Sequence, residues 1–171
     1  MSPCWTARSA TLAGKPEEDR AVFALMTVGD GLSKWSSRLF EDGEYLEGTL
    51  ADAMADAALF ELDRIVSGEI RKWCHERGLG AKKRLEAPQS LPMSAQRVVW
   101  EITDAQELLG VDILPSGMLN PEKSMALIYL LSDSKEDKAF EHNCRECPAV
   151  NCKTREEPYA FSDKKAEEAE Q

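Results

Sequence analysis

Glu44-Tyr45-Leu46-Glu47-Gly48-Thr49-Leu50-Ala51-Asp52-Ala53-Met54-Ala55-Asp56-Ala57-Ala58-Leu59 opens the stretch that decides the fold, which runs on to Arg77. Leu46, Leu50, Ala53, Ala57, Leu62, Ile65, Ile70 and Trp73 recur at helical spacing, so one long helix is expected over 44–77. Gly78-Leu79-Gly80 supplies its stop, and Gly68 is a point where it can break. The many alanines let another element come close, which makes this the central helix. Asp52 and Asp56 stand four apart on one face and read either as ligands or as a solvated helix surface.

Upstream, Ala21-Val22-Phe23-Ala24-Leu25-Met26-Thr27-Val28 is an apolar run stopped by Gly29-Asp30-Gly31, short enough for a buried strand. Leu32, Trp35, Leu39 and Phe40 then mark a helix face that ends at Glu41-Asp42-Gly43. Residues 1–18 mix Ser, Thr, Gly, Pro and charge without periodicity and are expected to be a loose arm. Downstream, Ala81-Lys82-Lys83-Arg84 leads into a proline-punctuated loop from Glu86 to Pro92. Ser94 is placed to cap a helix through Val98 and Trp100, and Thr103 to cap another through Leu108. Val111-Asp112-Ile113-Leu114 alternates as a short strand, Pro115 to Pro121 is turn-rich, and Ser124 to Leu131 is a second apolar strand. Strands and helices do not alternate as in a doubly wound sheet. The expected class is therefore α+β, with a small and mainly antiparallel sheet. The expected organisation is an arm over 1–18, a single domain over 19–160 and a charged tail over 161–171.

Composition excludes several classes. At 171 residues the chain suits one well-filled core. Its formal net charge of -10 repels nucleic acid and anionic membrane alike. No run approaches the ~20 apolar residues of a membrane span, and Met1-Ser2-Pro3-Cys4-Trp5 lacks the basic and apolar pattern of a signal peptide. Five cysteines, an odd number, fit a reducing compartment, so the cytoplasm is expected. With two histidines and no phosphate loop or His-Glu-x-x-His run, hydrolytic and phosphoryl-transfer chemistry are not indicated.

Three of those cysteines crowd into His142-Asn143-Cys144-Arg145-Glu146-Cys147-Pro148-Ala149-Val150-Asn151-Cys152. Two thiolates two residues apart can be aimed at one ion by the turn between them, and a third sulfur nearly closes the shell. Cys144, Cys147 and Cys152 are thus candidate ligands of an iron–sulfur cluster or of zinc. An idle thiol cluster or a disulfide is the plainer reading. The fourth ligand is open between Cys74, His75 and His142; Cys74, beside Trp73, can equally be a small core residue.

Four pieces, taken in order, resemble the cobalamin-dependent methionine synthase activation (reactivation) domain, and most closely short stand-alone proteins built on it. They are Met26-Thr27-Val28-Gly29; Phe40-Glu41-Asp42-Gly43-Glu44-Tyr45-Leu46-Glu47-Gly48-Thr49-Leu50 with the Ala-rich helix; Pro92-Met93-Ser94-Ala95-Gln96 leading to Leu109-Gly110-Val111-Asp112-Ile113; and Ser116-Gly117-Met118-Leu119-Asn120-Pro121 before the apolar strand. The terminal run Cys144, Cys147, Cys152 with Arg155 is similar to that of the stand-alone forms. The likeness covers about residues 20 to 155. It implies a curved, mainly antiparallel sheet flanked by helices. It also implies a role beside a corrinoid-dependent methyltransferase: a cobalt(II) corrinoid on a cobalamin-binding partner is reduced and remethylated from S-adenosylmethionine, with electrons from a flavodoxin or ferredoxin. The chemistry belongs to the cofactors and the fold positions them.

The chain departs from the family where the family has an Arg followed by Pro-Gly-Tyr, whose backbone and ring hold the ligand. Here the sequence is Arg84-Leu85-Glu86-Ala87-Pro88-Gln89-Ser90. The resemblance leaves Arg84, for a forked carboxylate contact, and Tyr129, on the following strand, to bind S-adenosylmethionine. Without the glycine and tyrosine, binding is expected to be weak or absent. Two functions remain open from sequence. One is a reactivation factor with a cysteine-bound metal; the other is a binding or scaffold module whose cysteines hold a structural zinc. In the first, the loops Arg84–Pro92 and Ser116–Lys123 border the ligand cleft.

Overall fold

The structure, a computed structural model, describes residues 4–11, 20–133 and 138–140. At its centre is strand β2 (Arg20–Thr27), buried at every position from Ala21 to Thr27. It has no polar alternation because both its faces are covered, as in any strand between two layers. Val22, Ala24 and Met26 face one apolar cluster; Ala21, Phe23 and Leu25 face the other. β2 pairs with β1 (Trp5–Thr11) on one side and β6 (Ser124–Ser132) on the other, and β3 (Gly80–Leu85) closes the far edge of β6. All three pairings are antiparallel, in the order β1-β2-β6-β3. The α+β class read from sequence is what the chain adopts.

One face of the sheet is covered by helix α2 (Tyr45–Glu76). Leu59, Val66 and Ile70 of α2 pack with Leu127, Tyr129 and Leu131 of β6, each such burial contributing about 1.5–3 kcal/mol. Gly68 does not interrupt the helix. It ends in a Schellman arrangement: Leu79 N donates to Cys74 O and Gly78 N to His75 O, with Gly78 at φ +71. The preceding helix α1 (Gly31–Glu41) lies against the N-terminal part of α2. There the Ser36 hydroxyl donates to Gly48 O at 2.8 Å, and a Cβ on Gly48 would stand 3.1 Å from the Phe40 ring. The close approach of α1 to α2 falls at Gly48, a glycine, and not at one of the alanines from which it was expected.

The opposite face is covered by α3 (Ala95–Ile102), α4 (Ala105–Leu109) and the short hairpin β4 (Asp112–Ile113) and β5 (Leu119–Asn120). Val99, Ala105, Val111 and Leu119 seal it.

Two strands and two helix caps differ from the sequence reading; Ser94 stands before α3 but makes no side-chain cap hydrogen bond. Trp5–Thr11, read as part of a loose arm, is an edge strand in full register with β2. Its apolar side chains are mostly small, and Thr6 and Arg8 are held through Thr103 O and the Asp104 carboxylate rather than by burial. Gly80–Leu85, read as a charged lead into a loop, is an edge strand whose lysines 82 and 83 are exposed. Thr103 does not cap α4. It is buried, its hydroxyl donates back to Val99 O at 2.7 Å, and left-handed Asp104 precedes the helix instead.

Candidate functional site

β3 is paired regularly except at Lys82, where one extra residue shifts the register between Ala81 and Lys83. A bulge of this kind turns every later side chain to the other face. Ala81 faces α2 opposite Leu131; after the bulge Arg84 faces the same side, directly across from Tyr129. The two residues proposed from sequence as ligand contacts are therefore cross-strand neighbours.

Both are engaged within the chain. Arg84 Nη1 donates to Asp63 Oδ1 and Oδ2 at 3.1 and 2.8 Å, and Nη2 donates to Glu86 Oε2 at 3.1 Å. The Ser67 hydroxyl donates to Asp63 Oδ1 at 3.1 Å and meets the Tyr129 hydroxyl at 2.8 Å. A carboxylate only accepts, so the single Ser67 proton goes to Asp63 and Tyr129 donates to Ser67. The line Tyr129–Ser67–Asp63–Arg84–Glu86 is thus a directed network joining β6, α2 and β3. Burial works against the Arg84 charge, but the Tyr129 hydroxyl, Asp63 and Glu86 outweigh it and hold the guanidinium above its ordinary range. Burial pushes the Tyr129 hydroxyl up from its usual value near 10, against the pull of Arg84.

Of the two loops expected to border a cleft, the second packs on the residue just past the first: a Cβ on Gly117 would stand 2.9 Å from Met93 O. The gap beneath Ala87, Leu91 and Gln96 has no space for a water molecule. At the base of the turn Lys123 is only 13% exposed and joins Asp52 and Asp56, each at 2.8 Å. Burial again opposes the charge, yet the hydrogen bonds that Lys123 donates to Asp52 and Asp56 prevail and raise the ammonium's pKa. The two aspartates are neither metal ligands nor a merely solvated face; they clamp the β5–β6 turn to α2.

Open space lies elsewhere. A cavity of about 390 Å³ runs between β1 and the C-terminal half of α2, with Trp5, Ala7, Val22, Ile70, Lys72 and Trp73 around it. A second, of about 370 Å³, continues past Trp73 to Arg20, Arg77 and Leu131. Small residues on β1 beneath the helix create the first space. The β1 residues at these cavities were not singled out from sequence because their strand was not recognised, while Val22, Ile70, Trp73 and Leu131 were read only as parts of a strand or a helix.

Cys74 is buried in the cluster formed by Val66, Ile70, Leu79 and Leu131. Cys144, Cys147 and Cys152 lie outside the described residues, as does His142. Among the described residues there is no group of three or more His, Cys, Asp or Glu side chains that could hold a metal, and no helix long and apolar enough to cross a membrane.

By sequence, the chain matches no family model and no curated protein. In structure it is similar to the crystal structure of the MetH reactivation domain bound to AdoHcy, with a TM-score of 0.54 and 11% identity. The match covers 86% of this chain and 47% of that one, so this chain spans about half the length of its neighbour. At that identity the likeness establishes the fold.

Proposed function

We propose that this chain is an accessory factor that docks on a corrinoid-binding protein and supports the reductive remethylation of its oxidised cobalt. The observation behind the reading is the fold, which is similar to that of a reactivation domain over 86% of the chain. On this reading the partner carries the corrinoid, and this chain contributes surface and position. The loops Arg84–Pro92 and Ser116–Lys123, the second of which packs through Gly117 on Met93 just past the first, form the docking rim.

S-adenosylmethionine does not fit the residues left for it. The Arg84 fork is filled by Asp63 and Glu86, and the three groups together carry a charge of -1 (one guanidinium against two carboxylates). A ligand carboxylate would have to displace one of the chain's own. We derive no step through that ligand. Cys144, Cys147 and Cys152 are proposed to hold a metal centre, which as an iron–sulfur cluster would supply single electrons and as zinc would only brace the chain. The internal pairing of Arg84 favours a second reading, a scaffold module that has kept the fold and given up ligand binding.

One experiment separates the two. Anaerobically purified chain is assayed for iron, zinc and sulfide, then mixed with a cobalamin-binding methyltransferase and followed by hydrogen exchange. Iron and sulfide, with protection of both loops, support the accessory factor. Zinc alone, with no protection of either loop, overturns it in favour of the scaffold.

A further inference from the structure

The sheet has two edges, and the chain treats them differently. β3 is interrupted by its bulge, carries exposed Lys82 and Lys83, and has the 3-10 turn Lys138–Phe140 packed against it. Each of these features hinders the addition of another strand. β1 has none of them. It keeps a regular register with β2 from Trp5 to Thr11 and contains neither proline nor lysine. Its one charge, on Arg8, is engaged by Asp104. Among the described residues no strand pairs with its outer edge.

One bond fixes the direction of its backbone groups. Thr27 N donates to Cys4 O at 3.0 Å, which makes Cys4 and Thr27 a hydrogen-bonded pair. Alternation then turns the N–H and C=O of Thr6, Arg8 and Ala10 toward β2, and those of Trp5, Ala7 and Ser9 outward. Trp5, Ala7 and Ser9 also line the cavity of about 390 Å³ on the α2 side. An antiparallel strand added here would exchange bonds with these three residues. The side chains facing them would project on the same side, into the cavity. Small Ala7 and Ser9 leave room there, and Trp5, Ile70 and Trp73 form apolar walls. Exposed Glu69 and Glu76 stand at the lip, with Lys72 between them. A clean backbone edge and a cavity beside it call for the same occupant, another strand.

We infer that β1 is a docking edge for an extended segment of a partner protein, with a large apolar side chain facing Ala7 and a basic residue two places to each side. Main-chain hydrogen bonds hold the segment, and the cavity selects its sequence. The basic residues meet Glu69 and Glu76, and a chain of net charge -10 attracts such a segment. A second copy fits less well. Full-length antiparallel pairing of two β1 strands sets Arg8 directly opposite Arg8, where like charges repel. Docking at this edge needs neither corrinoid nor metal, so it stands or falls separately from the function proposed above.

The test is titration of the full chain with the peptide acetyl-Thr-Lys-Thr-Phe-Thr-Lys-Thr-amide, followed by residue-resolved amide hydrogen exchange. Exchange at Trp5, Ala7 and Ser9 should slow about tenfold or more. Thr6, Arg8 and Ala10, already bonded to β2, should keep their rates. N-methylation of the peptide's Phe, whose N–H faces β1, should weaken binding about tenfold or more. Methylation of the neighbouring Thr, whose N–H points away, should not. Ala7→Pro removes one outward N–H and no bond to β2. It should weaken binding by a similar factor and leave the circular dichroism spectrum unchanged. Absence of protection at peptide concentrations up to about 1 mM, or equal protection of both sets of amides, overturns the inference. Alternating protection that arises without peptide, as the chain is concentrated, also overturns it and gives the edge to a second copy.

Discussion

Arg84 and Asp63 meet through two hydrogen bonds, Nη1 to Oδ2 at 2.8 Å and to Oδ1 at 3.1 Å, and this contact ties the edge strand β3 to the middle of α2. The side chains are 26% and 15% exposed, so the pair is sheltered without being dry. Such a contact costs more to break from one side than it contributes when intact, because the remaining charge is left in a poorly solvated place.

Asp63→Asn keeps the shape and removes the charge. It should destabilise the fold by about 2 kcal/mol, read as a lower urea midpoint with an unchanged slope. Isothermal titration of the unaltered chain with S-adenosylmethionine should show a dissociation constant well above ~1 μM. Tighter binding would mean that the Asp63 carboxylate yields to the ligand, and the assignment of Arg84 as an internal strut would be wrong.

Stability should fall as the solution is made alkaline. Lys123 and Tyr129 both have folded-state pKa values above their ordinary ones. As pH rises through about 10, where the unfolded groups titrate, the unfolded chain loses these protons first. It then binds fewer protons than the folded chain, so unfolding becomes easier with each further step. The stabilisation is complete below the unfolded values and is lost as pH climbs toward the folded ones. Urea midpoints at neutral pH and above pH ~10 measure this, and Tyr129→Phe should flatten the decline.

Gly117→Ala probes the contact between the Ser116–Lys123 turn and Met93. Gly117 has φ +88, and the added methyl would meet Met93 O at 2.9 Å, a distance that atoms do not sustain. The obstacle is backbone rather than a flexible side-chain tip, so the turn must move. Strain and displacement together should cost about 1–3 kcal/mol. Raised hydrogen exchange confined to Met118–Lys123 and to the segment around Met93 is the expected signature.

How far each element could be read from sequence depended on how much burial it involves. β2 and β6 are inner strands with continuous apolar runs, and α2 carries 32 residues of helical spacing, so these were legible. β1 and β3 are edges. Trp5-Thr6-Ala7-Arg8 and Lys82-Lys83-Arg84 take their strand form from pairing with a neighbour, which leaves little trace in local composition. Arg84 and Tyr129 were each named from sequence as ligand contacts, and neither their cross-strand pairing nor their partners within the chain were foreseen. The bulge at Lys82 decides which face Arg84 takes, and no residue type there signals an extra position. Asp52 and Asp56 looked like ligands or a solvated face because Lys123, 67 residues beyond Asp56, is brought to them only by the tertiary fold.

The last prediction concerns the cysteines. Cys144, Cys147 and Cys152 share the Cys-x2-Cys-x4-Cys spacing, whereas Cys74 shares a cluster with Val66, Ile70 and Leu131. A serine hydroxyl at position 74 would enter apolar surroundings, which costs about 1–3 kcal/mol when compensation is poor. At position 147 it would remove a soft thiolate from a metal shell, where an alcohol is a far weaker ligand. Cys74→Ser should therefore lower the unfolding midpoint and keep the metal content of the unaltered chain. Cys147→Ser should lose the metal and keep the midpoint of the folded core. Metal analysis and urea unfolding on the same two preparations decide the matter. Loss of metal from Cys74→Ser under conditions where that variant is still folded would make Cys74 the fourth ligand and join the cysteine run to the end of α2.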